Sequence, residues 1–240
     1  MPYFKTIFSR YEKKYIISKS DREKLLLAIG DRFNTDEFGK SLICNIYFDT
    51  PDYRLIRTSI EKPAFKEKLR IRCYGIPDRD SGAFVEIKRK YKGVVYKRRV
   101  GMTYEKAVDF LCRSQKAEID SQIMREVEYF KSFYGVMMPA ASIFYDRTAY
   151  YSKDDSSLRM TFDSNIRFRT QKLDLMFGDS GTPITSDDEI VMEIKCENAF
   201  PLWLCKTLDS LEIYPVTFSK YGIAYQQMMK GKTKTQPVTA

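Results

Sequence analysis

Residues 64–73 read Ala64-Phe65-Lys66-Glu67-Lys68-Leu69-Arg70-Ile71-Arg72-Cys73. In an extended strand alternate side chains share a face. Lys66, Lys68, Arg70 and Arg72 therefore line one side, and Leu69, Ile71 and Cys73 the other. The next strand-like run, 82–91, repeats the arrangement with Glu86, Lys88 and Lys90 opposite Val85 and Ile87. Lys97 pairs with Arg99 in the run that follows. Arg159, Thr161, Asp163 and Asn165 oppose Leu158, Met160 and Phe162, while Glu193, Lys195 and Glu197 oppose Met192, Ile194 and Cys196.

For any one of these strands, the ordinary reading is the solvent side of an antiparallel sheet whose apolar side forms the core. The set taken together argues otherwise. A solvated face interleaves both signs with Ser and Thr, whereas several of these strands place basic residues at consecutive same-face positions. Two like charges ~4 Å apart repel by roughly 4 kcal/mol at an effective dielectric near 20, so such a stack needs an anion or interleaved carboxylates. The pattern therefore predicts a closed antiparallel β-barrel with a charged lumen and an apolar outer face covered by helices. The fold class is α+β. Arg forks suit bidentate contacts to phosphate, and Lys supplies point charges. Glu12, Glu86 and Glu193, standing among these bases, offer hard oxygens to Mg²⁺ or Mn²⁺.

Working outward, Ser18 caps a predicted helix that ends at Gly30, Thr103 opens a second, and residues 120–135 form a third ending at Gly135. Residues 200–211 and 219–230 read as helices near the C-terminus. Further strands are expected at 42–50, 94–102, 141–151, 158–170 and 190–197. Residues 152–157 and 179–188 read as loops. Residues 1–230 are expected to form one domain, with a disordered polar tail at 231–240.

Composition narrows the chemistry. The 240 residues carry 41 Lys+Arg against 32 Asp+Glu, a net charge of +9, which points to an anionic partner. There is no histidine, which removes Ser-His-Asp and Cys-His catalysis and His-ligated metals. Cys44, Cys73, Cys112, Cys196 and Cys205 are dispersed without a CxxC pair, as expected for reduced thiols in a cytosolic protein. The first residues lack the apolar run of a secretory signal, and no stretch approaches ~18 uncharged apolar residues. A cytoplasmic protein is the expectation.

The ordered motifs RYEKKY (10–15), LRIR (69–72), FVEIKRK (84–90), YDRTAY (145–150), LRMTFD (158–163), MEIK (192–195) and FSKY (218–221) resemble the VTC-type polyphosphate polymerase domain. That domain belongs to the triphosphate tunnel metalloenzyme superfamily. The resemblance spans about residues 5–229. It implies an antiparallel β-barrel tunnel that builds inorganic polyphosphate from the γ-phosphate of ATP with Mn²⁺ (or Mg²⁺). Carried over by motif, Arg70, Arg72, Lys88 and Arg159 would be catalytic, and Lys14, Lys97, Arg147 and Lys220 would bind substrate. Glu193 would hold metal, aided by Glu86. The partners implied are ATP and polyphosphate, with no nucleic acid and no membrane span; the oligomeric state stays open.

Two departures matter. Hydrolytic relatives carry ExExK at the N-terminal motif, whereas Arg10 stands at its first position here, as in the polymerase branch. Polymerase relatives often have a Lys three residues before the FSKY lysine, where this chain has Thr217. The alternatives are a tripolyphosphatase or nucleoside triphosphatase of the same fold, and a non-catalytic polyphosphate-binding module. RNA or DNA binding would call for aromatic stacking platforms in an order these motifs do not follow. Arg167 and Arg169 extend the alternation as tunnel-mouth residues without motif support, and the tyrosines read as packing.

Overall fold

A computed structural model of the chain describes residues 7–234 except 93, 114, 116–118 and 198. Among the described residues nine strands occur: β1 (Ile7–Ile17), β2 (Phe33–Asp49), β3 (Phe65–Tyr74), β4 (Gly82–Tyr91), β5 (Val94–Thr103), β6 (Met138–Ser152), β7 (Arg159–Arg169), β8 (Thr182–Pro183) and β9 (Ile190–Cys196). They pair antiparallel in the order β6-β2-β3-β4-β5-β1-β9-β7-β8, and β6 also pairs with β7. Eight long strands thus follow one another round a ring, so the pairing leaves little open edge to template aggregation.

The outward faces carry the apolar residues. Leu69, Ile71, Val85 and Ile87 pack with Ala107, Phe110, Val127 and Phe130 of helices α3 (Tyr104–Cys112) and α4 (Gln122–Tyr134). On the far side Met160, Met192 and Ile194 meet Leu25 and Leu204 of α1 (Lys19–Ile29) and α5 (Leu202–Ser210). Each of the larger buried side chains among these is worth about 1.5–3 kcal/mol, and this outside burial is what permits charge within. Local chemistry starts and stops the helices as the sequence suggests. Ser18 and Asp21 form a capping box at the head of α1, Thr103 and Ser121 cap α3 and α4, and Gly135 takes φ 71° at the end of α4.

Two helices depart from the expected outer layer. α2 (Arg54–Ile60) and α6 (Lys220–Lys234) place Ile56, Tyr221 and Ala224 against inward-facing Ile43, Tyr47, Ile143 and Tyr145, so they close part of the ring's interior. α6 also runs four residues into the stretch expected to be disordered; residues 235–240 of that tail lie outside the described residues.

A β-bulge corrects one reading of β7. The β6–β7 register shifts between Phe144 and Asp146, and Asn165 takes φ 50°. The extra residue reverses the inside–outside alternation. Arg159, Thr161 and Asp163 stay on the inner side, whereas Arg167 and Arg169 turn outward. Arg167 donates to the Asp179 carbonyl and ion-pairs its carboxylate, and Arg169 donates to the carbonyls of Asp174 and Gly178. These two arginines pin the 174–179 loop and are not mouth residues.

Candidate functional site

The inward charges enclose a cavity of about 1740 Å³. Its lining contains fifteen Lys and Arg side chains against five carboxylates. Lys14, Arg70, Arg72, Lys88, Lys97, Arg147, Arg159, Lys220 and Glu193 all border it. Arg159 is exposed near residues 155–157, while Lys14 Nζ donates to the Phe218 carbonyl at 3.0 Å in the segment 215–220, which borders the cavity and carries Lys220.

Two fully buried carboxylates behind this lining hold the cations in place. Glu86 on β4 receives Arg70 Nε at 2.7 Å and Lys97 Nζ at 2.6 Å, with Arg72 Nε at 3.9 Å. Burial alone would raise its pKa, but Arg70, Arg72 and Lys97 outweigh it and hold the carboxyl below the usual carboxylate range. Glu86 is therefore placed otherwise than a metal ligand: its side chain is closed to solvent and does not border the cavity. Asp163 on β7 takes a fork from Arg147 at 2.6 and 2.7 Å and Lys220 Nζ at 2.6 Å. Against the same burial penalty, those two cations lower its pKa to about 2.

Neutral groups fix the remaining arginine orientations. Arg70 donates to Tyr47 Oη at 3.0 Å; Arg72 donates to Asn45 Oδ1 and Tyr145 Oη, both at 2.9 Å. Lys220 Nζ lies 4.4 Å from the Tyr145 ring centroid, within cation–π range. Tyr47, Tyr145 and Asn45 were not legible as site residues. Their only trace in sequence is that odd-numbered positions of β2 and β6 share the inner face.

A second pair of carboxylates faces the cavity itself. Glu12 on β1 accepts from Lys88 at 3.0 Å, and Glu193 on β9 lies 3.3 Å from Lys195 and 3.9 Å from Arg147. Both carboxyls border the cavity. Burial opposes the charge on Glu193, yet Lys195 and Lys14 keep its pKa well below the ordinary value. Lys14 is raised in turn: burial works against it, and Glu12 and Glu193 more than offset that. Among the described residues no group of three or more His, Cys, Asp or Glu comes together. A divalent ion with hard oxygen preference needs only one or two carboxylates when phosphate oxygens and water complete its shell, so the Glu12–Glu193 pair fits such an ion.

A ring of antiparallel strands around a lumen of pinned arginines and lysines defines a triphosphate tunnel architecture. Within that superfamily the chain belongs to the VTC domain family, whose model matches residues 9–229. Among solved structures it is similar to a candidate adenylate cyclase from Bacillus halodurans, at 14% identity and a TM-score of 0.56, covering 90% of this chain and 96% of that one. It is also similar to a Hippeastrum protein described as a candidate adenylyl cyclase with a dominant triphosphatase activity. That match has 18% identity and a TM-score of 0.50, covering 91% of this chain and 96% of the other. At these identities the likeness is one of fold. No curated protein matches the chain. No helix among the described residues is long and apolar enough to cross a membrane.

Proposed function

We propose that the protein is an ATP-dependent polyphosphate polymerase that transfers the γ-phosphate of ATP to a growing inorganic polyphosphate chain. The observation that carries this is the lumen's charge: fifteen cations border one cavity, and the deepest are locked by Glu86 and Asp163, which do not themselves line it. Such a surface suits a ligand that is anionic along its whole length.

Phosphoryl transfer needs positioning and neutralisation of charge more than a covalent nucleophile, so a chain without histidine can perform it. Arg70 and Arg72, preset by Glu86, Tyr47, Asn45 and Tyr145, clamp the β- and γ-phosphoryl oxygens with Lys88 and Lys97 of the neighbouring strands β4 and β5. Lys14, Arg147 and Lys220 orient the incoming chain end, and Arg159 meets phosphate at the mouth. A terminal oxygen of that chain forms a bond to the γ-phosphorus. The bond from that phosphorus to the β–γ bridging oxygen breaks, and ADP leaves with the electron pair. Glu193, with Glu12, would hold a divalent ion, Mn²⁺ or Mg²⁺, whose charge would neutralise phosphate oxygens. Glu86 serves as an anchor for the clamp.

Polymerisation is favoured over hydrolysis by Arg10, which stands where hydrolytic relatives have the first Glu of ExExK. The test is to incubate pure protein with ATP and Mn²⁺ and separate the products on a gel stained for long polyanions. A ladder is expected, abolished in Arg70→Ala and Glu193→Ala. Free phosphate without a ladder would replace the proposal with a hydrolase, and intact ATP with a binding module.

A further inference from the structure

The lumen's charges are not evenly compensated. Across β3, β4 and β5 inward lysines stand directly opposite one another in register: Lys66 with Lys90, Lys68 with Lys88, and Lys88 with Lys97. Like charges facing across a sheet are destabilising. Lys88 is answered by Glu12 and Lys97 by Glu86. Among the described residues Lys66, Lys68 and Lys90 have no carboxylate oxygen within 4 Å. Lys66 donates to the Ser59 carbonyl at 3.3 Å and Lys68 to Ser219 Oγ at 2.8 Å, both neutral partners.

These three lysines also share a place. Alternate residues on β3 are about 6.6 Å apart along the strand, so Lys66 stands roughly 13 Å beyond Arg70 on the same inner face. There it meets the Ser59 carbonyl near the end of α2. A triphosphate clamped at Arg70 and Arg72 has only three phosphoryl groups and ends short of Lys66. A longer chain following the same face reaches it.

We propose that Lys66 and Lys90, joined to the clamp by Lys68 opposite Lys88, form a length-reading subsite, engaging phosphoryl groups beyond the first three so that the lumen prefers long inorganic polyphosphate to tripolyphosphate. This rests on the reading of the lumen as a phosphate-chain site. The electrostatics agree with the geometry: burial, reinforced by Lys14 and Lys88, holds Lys68 well below the ordinary lysine range. Burial and then Lys90 and Lys14 lower Lys66. Anionic phosphate relieves that repulsion, and the energy cost of keeping three unanswered lysines together is recovered when a long chain binds.

Calorimetric titration of the full chain tests this, using tripolyphosphate and a size-fractionated long polyphosphate on wild type and on the variant Lys66→Gln, Lys68→Gln, Lys90→Gln. Each charged contact is worth at least a factor of about ten. The ratio of long-chain to tripolyphosphate affinity is therefore expected to fall at least tenfold in the variant. The melting temperature should hold or rise, since uncompensated charge has been removed, which separates lost binding from lost fold. An unchanged ratio, whether both ligands weaken alike or neither does, overturns the subsite while leaving the phosphate lumen standing. A wild type that binds neither ligand overturns both.

Discussion

Replacing Glu86 by Gln changes little shape and removes the one negative charge that Arg70, Lys97 and Arg72 approach at 2.7, 2.6 and 3.9 Å. The amide keeps one acceptor, and its N–H donors must then face Arg70 or Lys97, which can only donate. Glu86 itself is fully buried, so the amide in its place is not screened by water, while Arg70 and Lys97 keep their edge on the cavity. Removing one partner of a buried pair typically costs about 3–5 kcal/mol. For a chain of this size each kcal/mol moves the melting temperature by roughly 2–4 °C, which gives a fall of roughly 6–20 °C. Thermal unfolding by circular dichroism at neutral pH would measure it. Because the freed cations still face the cavity, saturating tripolyphosphate should stabilise the variant more than it stabilises wild type. A variant that melts with the wild type, and responds equally to the ligand, would refute the idea that Glu86 is the anchor of the clamp.

Other outcomes follow from the same geometry. Asp163 has a pKa of about 2 against an ordinary 3.8. Its stabilisation is therefore complete above ~4 and lost as pH falls through ~2, an amount of about 2 kcal/mol. Acid titrations monitored by fluorescence should show that step shrink in Asp163→Asn; an identical acid limb in both proteins would contradict the pairing with Arg147 and Lys220. Glu193→Gln should abolish Mn²⁺-dependent product formation while leaving tripolyphosphate binding equal or tighter, because one negative charge leaves the lumen. Weaker binding would contradict a metal-holding role. Tyr47→Phe removes the hydroxyl that accepts from Arg70 at 3.0 Å, with an expected cost of about 1.5–3 kcal/mol, or roughly 10- to 150-fold, in kcat/KM. Unaltered kinetics would assign Tyr47 to packing alone.

Much of this arrangement was readable in the chain. The runs 64–73 and 82–91 could bury their apolar sides in only one direction, and the like-charged opposite sides required an answer inside. Ser18, Thr103 and Gly135 marked helix ends because caps act over three or four residues. Other features depended on partners distant in sequence. No local signal announces α2, since its N-cap, Tyr53, makes no capping bond from its side chain. Its first amides are satisfied from upstream, by Thr50 Oγ1 at Arg54 and by the buried Asp49 carboxylate at Leu55 and Ile56. Asp49 also accepts from Tyr221 Oη at 2.9 Å, tying α2 to α6, and no local pattern reports such a bond. Strict alternation places Arg167 and Arg169 at the mouth because it cannot anticipate a bulge at Asn165. Glu86 looks like Glu193 in sequence; only the folded lining separates them, with Glu86 closed off behind its cations and Glu193 bordering the cavity with Glu12.

We propose that the inward sides of β3, β4, β5 and β7 together grip a chain of phosphates. Crystals grown with inorganic polyphosphate test it most directly. Continuous phosphate density should run through the cavity within hydrogen-bonding distance of Arg70, Arg72, Lys88 and Lys220. Polyphosphate bound only on the outer helical surface, with the lumen filled by solvent, would contradict it.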